Sequence, residues 1–300
     1  MKFAAIDIGS NAIRLLIEEV HQGENGFVIE KVSLTRVPVR LGDDVFVKGK
    51  IPKGKIEQLI KTMKAFWYLM DVHGVEYFMA CATSALRDAS NRDEVVSKVK
   101  KEANIPVLVL SGKEEADLIF GNFSTQKLSK TGNYLYIDVG GGSTEITLIS
   151  KGKRIKSKSF NIGTVRALYG KVKDSEWKRA ELFVKNTKPA HTSVLAMGTG
   201  GNINAIHKMA GKKPNEVLTL ADIAKQCKLI SGYSYEERIS QLRLKPDRAD
   251  VIVPAAEIYL RLMKVARINR MLVPKIGLSD GMILDLFTQW ESGKIRQPGR

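Results

Sequence analysis

Tyr134-Leu135-Tyr136-Ile137-Asp138-Val139-Gly140-Gly141-Gly142-Ser143-Thr144-Glu145-Ile146-Thr147-Leu148-Ile149 is the stretch that decides how this chain folds. An apolar run ends in an aspartate, passes through a Gly-rich turn with hydroxyls, and returns as a second apolar run. That is the pattern of a β-hairpin with a carboxylate at its mouth. The same order opens the chain, where Phe3-Ala4-Ala5-Ile6-Asp7-Ile8-Gly9-Ser10-Asn11 precedes an apolar run from Ile13 to Val20. Asp7 and Asp138 are 131 positions apart (138 − 7), one domain length, and internal duplication is the simplest explanation. A third glycine turn, Gly198-Thr199-Gly200-Gly201, joins a short strand to a helix starting at Asn202.

The segments between these turns alternate in type. Beyond a loop, residues 53–73 carry apolar side chains at helical spacing (Ile56, Leu59, Ile60, Met63, Phe66, Met70). Short strands are expected at 77–83 and 107–110, with a helix from Asn91 to Ala103 between them. Ser111-Gly112-Lys113-Glu114-Glu115 reads as a cap feeding a helix to about Phe123. Residues 247–266 read as a helix interrupted by Pro254, 272–276 as a strand and 279–290 as a last helix. The sum is an α/β chain of two domains, 1–124 and 125–300, with packing of the last helix back on the first domain left as an alternative.

At 300 residues and 44% hydrophobic content, both domains have enough material for a core. Two widely separated cysteines, Cys81 and Cys227, and four scattered histidines indicate neither a disulfide framework nor a structural zinc site. No apolar stretch approaches membrane-spanning or signal-peptide form, so a cytoplasmic protein is expected. The net charge of +16 is unevenly placed: residues 1–150 hold 19 basic and 19 acidic residues, residues 151–300 hold 29 and 13. An excess confined to one half points to a polyanionic partner.

A glycine-rich hairpin turn can aim successive backbone N–H groups at one point, and Ser10, Ser143 and Thr144 add hydroxyl donors, so two facing turns would clamp phosphate. One such turn alone is an ordinary hairpin; two copies and a third glycine turn are specific. Asp7 and Asp138 would supply the hard oxygen ligands Mg²⁺ takes beside phosphate. Transfer of phosphate to water also needs a base, and both Glu115 and Glu145 qualify on residue type and place. Glu114 suits a surface role at the helix start.

Six stretches taken together, Ala5 to Asn11, Ala82 to Asn91, Leu110 to Ala116, Ile137 to Glu145, Gly198 to Gly201 and Asp247 to Asp250, resemble the exopolyphosphatase/guanosine pentaphosphate phosphohydrolase family over nearly the whole chain. The resemblance implies two ribonuclease H-like domains of the actin/Hsp70/sugar-kinase superfamily, with an interdomain cleft. It implies Glu115 as catalytic base, Asp138 and Glu145 as holders of Mg²⁺ and water, and Asn11, Arg87, Gly141, Gly142, Ser143 and Gly201 as phosphate contacts. It also implies a homodimer and a link to the stringent response. Ala12 and Asn202 depart from the Ser and Thr common in the family, and a C-terminal HD-type extension of its longer members is not expected.

The function expected is Mg²⁺- or Mn²⁺-dependent removal of terminal phosphate from inorganic polyphosphate by direct attack of water. Asp7, Asp138 and Glu145 would organise the metal, with Ser10, Asn11, Arg87, Gly141, Gly142, Ser143, Thr144, Gly200 and Gly201 around phosphate. Lys153, Arg154, Arg166, Lys171 and Arg248 would guide the rest of the chain. Alternatives are removal of the 5′ phosphate of pppGpp, a sugar or acetate kinase, and a polyphosphate or nucleotide sensor without turnover. No nucleic acid or membrane partner is expected.

Overall fold

The computed structural model describes residues 1–24, 26–125, 129, 131–187 and 193–295. The chain divides into two compact units, Met1–Thr125 with Gly277–Arg300, and Gln126–Ile276. In the first unit β1 (Lys2–Ile8), β2 (Ile13–Gly23) and β3 (Gly26–Val37) lead to α1 (Leu41–Lys48), α2 (Lys53–Val72), β4 (Tyr77–Ala82), α3 (Ser84–Asp88), α4 (Arg92–Ala103), β5 (Leu108–Val109) and α5 (Gly112–Gly121). The second unit carries β6 (Asn133–Val139), β7 (Thr144–Ser150), β8 (Lys153–Phe160), α6 (Thr164–Leu168), α7 (Asp174–Thr187), β9 (Leu195–Thr199), α8 (Gly201–Met209), β10 (Leu218–Thr219), α9 (Leu220–Ser231), α10 (Tyr235–Ser240), α11 (Pro246–Ala249), α12 (Ile252–Ala266) and β11 (Arg270–Leu272). α13 (Leu278–Glu291) closes the described chain.

The two sheets share one plan. The first has the order β3-β2-β1-β4-β5, and the second repeats it as β8-β7-β6-β9-β11 with β10 added beyond β11. Directions agree too: β1 and β6 run antiparallel to the strand that follows them and parallel to β4 and β9 respectively. This is the ribonuclease H-like arrangement of the actin/Hsp70/sugar-kinase type, present twice. Central strands buried on both faces must be apolar almost throughout, and Phe3 to Ile6 of β1 and Tyr134 to Ile137 of β6 are buried.

Several local expectations changed. Residues 26–37, read as loop, form the long edge strand β3, whose exposed residues left no clean alternation to detect. Asn91 does not cap α4; its side-chain amide instead accepts from the N–H of Ile51 and donates to the Ile51 carbonyl, tying the helix start to the end of the α1–α2 loop. The break before α12 falls at 250–251 rather than at Pro254, which sits in the first turn where no N–H is needed. In the contact division residues 277–300 group with the first unit, not with 126–276. The cause is packing: Phe287 of α13 meets Phe3 at 6.0 Å and Phe27 at 4.9 Å between ring centroids. Among the described residues no helix is long and apolar enough to cross a membrane.

α13 also sets an acid against an acid. Glu18 of β2 is buried, paired in register with Lys31 of β3 and Phe3 of β1, and faces Asp280 of α13, which lies 3.9 Å from the Lys31 ammonium. Burial first, then the Asp280 charge, raise the Glu18 carboxyl to about 7, with Lys31 opposing; burial raises Asp280 as well. A carboxyl whose folded pKa lies above its unfolded value of about 4.5 binds its proton more tightly when folded, so stability falls as pH rises from about 4.5 to about 7 and stays reduced above. Glu18→Gln should therefore stabilise at pH 8 by about 1–3 kcal/mol and bring no gain at pH 4.5. Melting curves at the two pH values check this; equal gains at both would refute it.

Candidate active site

In the first unit Asp7 is the last residue but one of β1, and the Gly9 N–H closes the following turn on the Ala12 carbonyl at 3.2 Å. The register sets Asp7 opposite Arg14 on one side and Cys81 on the other. Arg14 Nη1 donates to Asp7 Oδ2 at 2.9 Å. Burial raises the Asp7 carboxyl above its ordinary value, with the Arg14 guanidinium opposing the rise. Ser10 lies beneath the turn, 3% exposed, its hydroxyl hydrogen-bonded to Ser84 at 2.9 Å. Asn11 sits at the tip, half-buried, its carbonyl accepting from the Arg40 N–H.

The same unit brings Arg87 and Glu115 together. Ser111 caps α5 through a reciprocal box with Glu114, whose carboxylate accepts from the Ser111 N–H at 2.7 Å. Glu114 is thereby spent on the cap, and Glu115, one residue on, turns inward and is buried. Arg87 Nη1, near the end of α3, donates to the Leu110 carbonyl at 2.9 Å and reaches Glu115 Oε2 at 3.4 Å. A buried carboxylate beside a guanidinium is the pairing that hydrolysis of an anhydride calls for: a proton acceptor and a binder of phosphate oxygen.

In the second unit the register pairs Asp138 with Glu145 across β6 and β7. Ser159 of β8 stands opposite Glu145 and donates to its Oε1 at 2.7 Å. Below Asp138, Tyr259 donates to the Thr199 carbonyl at 2.6 Å and the Tyr136 hydroxyl bonds the Thr199 hydroxyl at the same distance. Burial and the Asp138 charge raise both phenols far above their ordinary value, so they remain donors. Gly200 has φ +103°, and a Cβ there would come within 3.3 Å of Asp138 Oδ1. Only glycine suits that backbone and leaves the carboxylate its space.

The glycine turn at 140–143 is braced from α6. Backbone N–H groups of Thr164 and Val165 donate to the carbonyls of Gly140 and Gly141, and Arg166 Nε donates to the Gly142 carbonyl at 2.6 Å. A Cβ on Gly163 would fall 2.4 Å from the Gly141 carbonyl oxygen, so the approach exists only because residue 163 has no side chain. Ser143 is buried at the base of the turn, and the Thr144 hydroxyl is spent on the Ile162 carbonyl. Arg166, expected among channel residues, thus braces the glycine turn, and the Thr144 hydroxyl bonds within the fold. Gly201 opens α8 with Arg248 against it: a Cβ would lie 2.8 Å from Arg248 Nη2.

Not every expected residue joins these groups. Lys153 and Arg154 lie at the opposite end of β8 from Ser159, six and five residues away, roughly 17–20 Å at strand rise. Lys171, exposed after α6, keeps only its backbone bond to the Arg166 carbonyl in view. Three residues escaped the sequence reading. Arg14 was recoverable, because it follows Asp7 by seven positions as Glu145 follows Asp138. Ser159 and Gly163 had no such signal, since their partners are set by strand pairing and close approach.

For Mg²⁺, which takes one or two carboxylates and fills its remaining positions with water and substrate oxygen, the Asp138–Glu145 pair with the space over Gly200 is a fitting donor set. Asp7, already neutralised by Arg14, fits that task less well. Among the described residues no three or more His, Cys, Asp or Glu side chains are grouped as a metal cluster.

The model of the Ppx/GppA phosphatase family matches residues 16–289. Exopolyphosphatase 1 of Mycobacterium tuberculosis is 27% identical over 95% of this chain and 88% of its own length. The guanosine-5′-triphosphate,3′-diphosphate pyrophosphatase of Pseudoalteromonas translucida is 26% identical over 98% of this chain and 61% of that protein. Among solved structures, the Aquifex aeolicus Ppx/GppA family member superposes with a TM-score of 0.76 at 26% identity, covering 97% of this chain and 98% of that one. A family match over residues 16–289, most of the chain, places it in the Ppx/GppA phosphatase family, as a phosphoanhydride hydrolase.

Proposed function

We propose that this protein removes the terminal phosphate of inorganic polyphosphate with water, in a Mg²⁺-dependent reaction. The observation that carries the reading is Glu115: a carboxylate buried one position past the capping-box Glu114 and held 3.4 Å from Arg87. Glu115 orients the attacking water and takes its proton as oxygen bonds to phosphorus. The bridging P–O bond breaks, orthophosphate leaves, and the electron pair stays on a polyphosphate one unit shorter. Arg87 and the N–H groups of the glycine turns bind the non-bridging oxygens. Asp138 and Glu145 would hold Mg²⁺, which would neutralise phosphate charge and polarise the phosphoryl oxygen. Asp7 anchors Arg14 at the mouth of the first hairpin.

Support for polyphosphate over pppGpp comes from the positive excess of the second half and from the similarity to the mycobacterial exopolyphosphatase. Similarity to the Pseudoalteromonas pyrophosphatase supports pppGpp as the second reading. Phosphate release measured side by side on polyphosphate and pppGpp, with Mg²⁺ and with chelator, decides. Metal-dependent release from polyphosphate is expected, and Ser159→Ala, which removes the hydrogen bond orienting Glu145, should raise the Mg²⁺ needed for half-maximal rate about tenfold. Release from pppGpp alone would replace the first reading by the second; tight polyphosphate binding without release from either would leave a sensor.

A further inference from the structure

β8 is the terminal strand on its side of the second sheet. Residues 151–160 carry five cations, Lys151, Lys153, Arg154, Lys156 and Lys158, and no acid. All five are exposed. The register sets Lys153, Lys156 and Lys158 opposite Ser150, Leu148 and Ile146, with Ile155 bulged out, so these three lysines share one face of the strand. Glu145 and Ser159 occupy the other face. Lysines elsewhere find acids, as Lys48 does with Asp44 at 3.0 Å and Lys98 with Glu94 at 2.7 Å. None of Lys151, Lys153, Lys156 and Lys158 has a carboxylate within ion-pair distance among the described residues. Lys158 instead lies over the Phe160 ring, 5.8 Å from its centroid.

Such a row works against the fold. Lys156 and Lys158 are about 7 Å apart along the strand, within a Debye length of about 8 Å, so their repulsion is poorly screened. Lysine on an edge strand does deter edge-to-edge association, but one or two suffice for that, and five cations with no acid exceed it. We infer that the β8 edge anchors the distal part of a long polyphosphate chain, on the strand face turned away from Glu145 and Ser159. The inference rests on the exopolyphosphatase reading for its substrate. It explains why Lys153 lies so far from the carboxylates: it holds a chain already engaged elsewhere, raising its effective concentration instead of binding the reacting phosphate. A polymer of phosphate alone is favoured over single-stranded nucleic acid because the edge has no stacking platform. Its one aromatic, Phe160, is 1% exposed.

The test uses the full chain and the variant Lys151→Gln/Lys156→Gln/Lys158→Gln. Fluorescence anisotropy with labelled long-chain polyphosphate should show at least a tenfold weaker Kd for the variant. The slope of log affinity against log salt should be shallower by about 2, three contacts at about 0.7 each. Phosphate release from tripolyphosphate, too short to pass from the Glu145 face of β8 to its lysine face, should stay within about twofold while KM for the long chain rises. Wild-type affinity in the variant overturns the inference, as does aggregation of the variant with unchanged affinity in its soluble fraction, which would reduce the lysines to edge protection. Displacement of polyphosphate from the wild type by an oligonucleotide of equal charge at equal concentration would assign the surface to nucleic acid. If the wild type releases phosphate from no substrate yet the variant loses polyphosphate binding, the hydrolase reading fails and the anchoring surface stands.

Discussion

Glu115→Gln is expected to reduce phosphate release by at least 10²–10⁴-fold, the range a positioned general base contributes, while polyphosphate affinity stays within about twofold. Glutamine keeps the shape of the side chain, and Arg87 keeps its bond to the Leu110 carbonyl, so the pair can lose its base without losing its geometry. Glu114→Gln is the control. Its carboxylate is exposed and spent on the Ser111 N–H, whose cap bond lowers its pKa. Loss of the charge there weakens the helix cap and costs little activity. Initial rates under saturating polyphosphate, with binding measured on the same preparations, separate the two variants; full turnover in Glu115→Gln would remove the base from the mechanism.

Gly281→Ala is expected to destabilise and to impair turnover, although alanine is the better helix former by about 1 kcal/mol. Gly281 lies in α13, where a Cβ would sit 2.1 Å from the Leu118 carbonyl oxygen and 2.7 Å from its carbon. Backbone cannot yield as the end of a side chain can, so α13 must move off α5. Overpacking of backbone on backbone sits at or above the upper end of about 1–3 kcal/mol, which outweighs the propensity gain and lowers Tm by roughly 4–8 °C. Because α5 carries Glu115, the displacement reaches the proposed base from the far side of its helix. Gly54→Ala in α2 gives the opposite sign: nothing lies within 4 Å of that position, and the substitution should stabilise by about 0.5–1 kcal/mol. Thermal melts of both variants with phosphate-release rates test the contrast, and a Gly281→Ala protein as stable as wild type would show the helices are not so tightly joined.

Legibility followed the range of each signal. The two hairpins stood out because an apolar run, a carboxylate and a glycine turn are contiguous, and their spacing of 131 exposed the duplication that the paired sheet orders display. The separation of Glu114 from Glu115 was half visible: cap chemistry assigned the first, and the helix period placed the second on another face. Comparing the duplicates position by position would also have aligned Arg14 with Glu145 and shown that one hairpin carries two acids while the other carries an acid and a base. Hydroxyls were the least legible, because a Ser or Thr in a turn is as ready to bind its own neighbourhood as a ligand. Ser10 turned to Ser84, and Thr144 to Ile162.

By itself the sequence determined two α/β halves, the carboxylates at Asp7, Asp138, Glu115 and Glu145, and a positive second half, since periodicity, repeats and composition are properties read along the chain. Tertiary structure alone decided that Arg14 neutralises Asp7, that Ser159 orients Glu145, that Gly163 and Gly281 stand where no side chain fits, that α13 belongs with the first sheet, and that the lysines of β8 lie on an edge. These depend on register, burial and close approach between residues up to more than 150 positions apart, such as Gly281 and Leu118 (281 − 118 = 163), and local pattern does not encode distances of that kind.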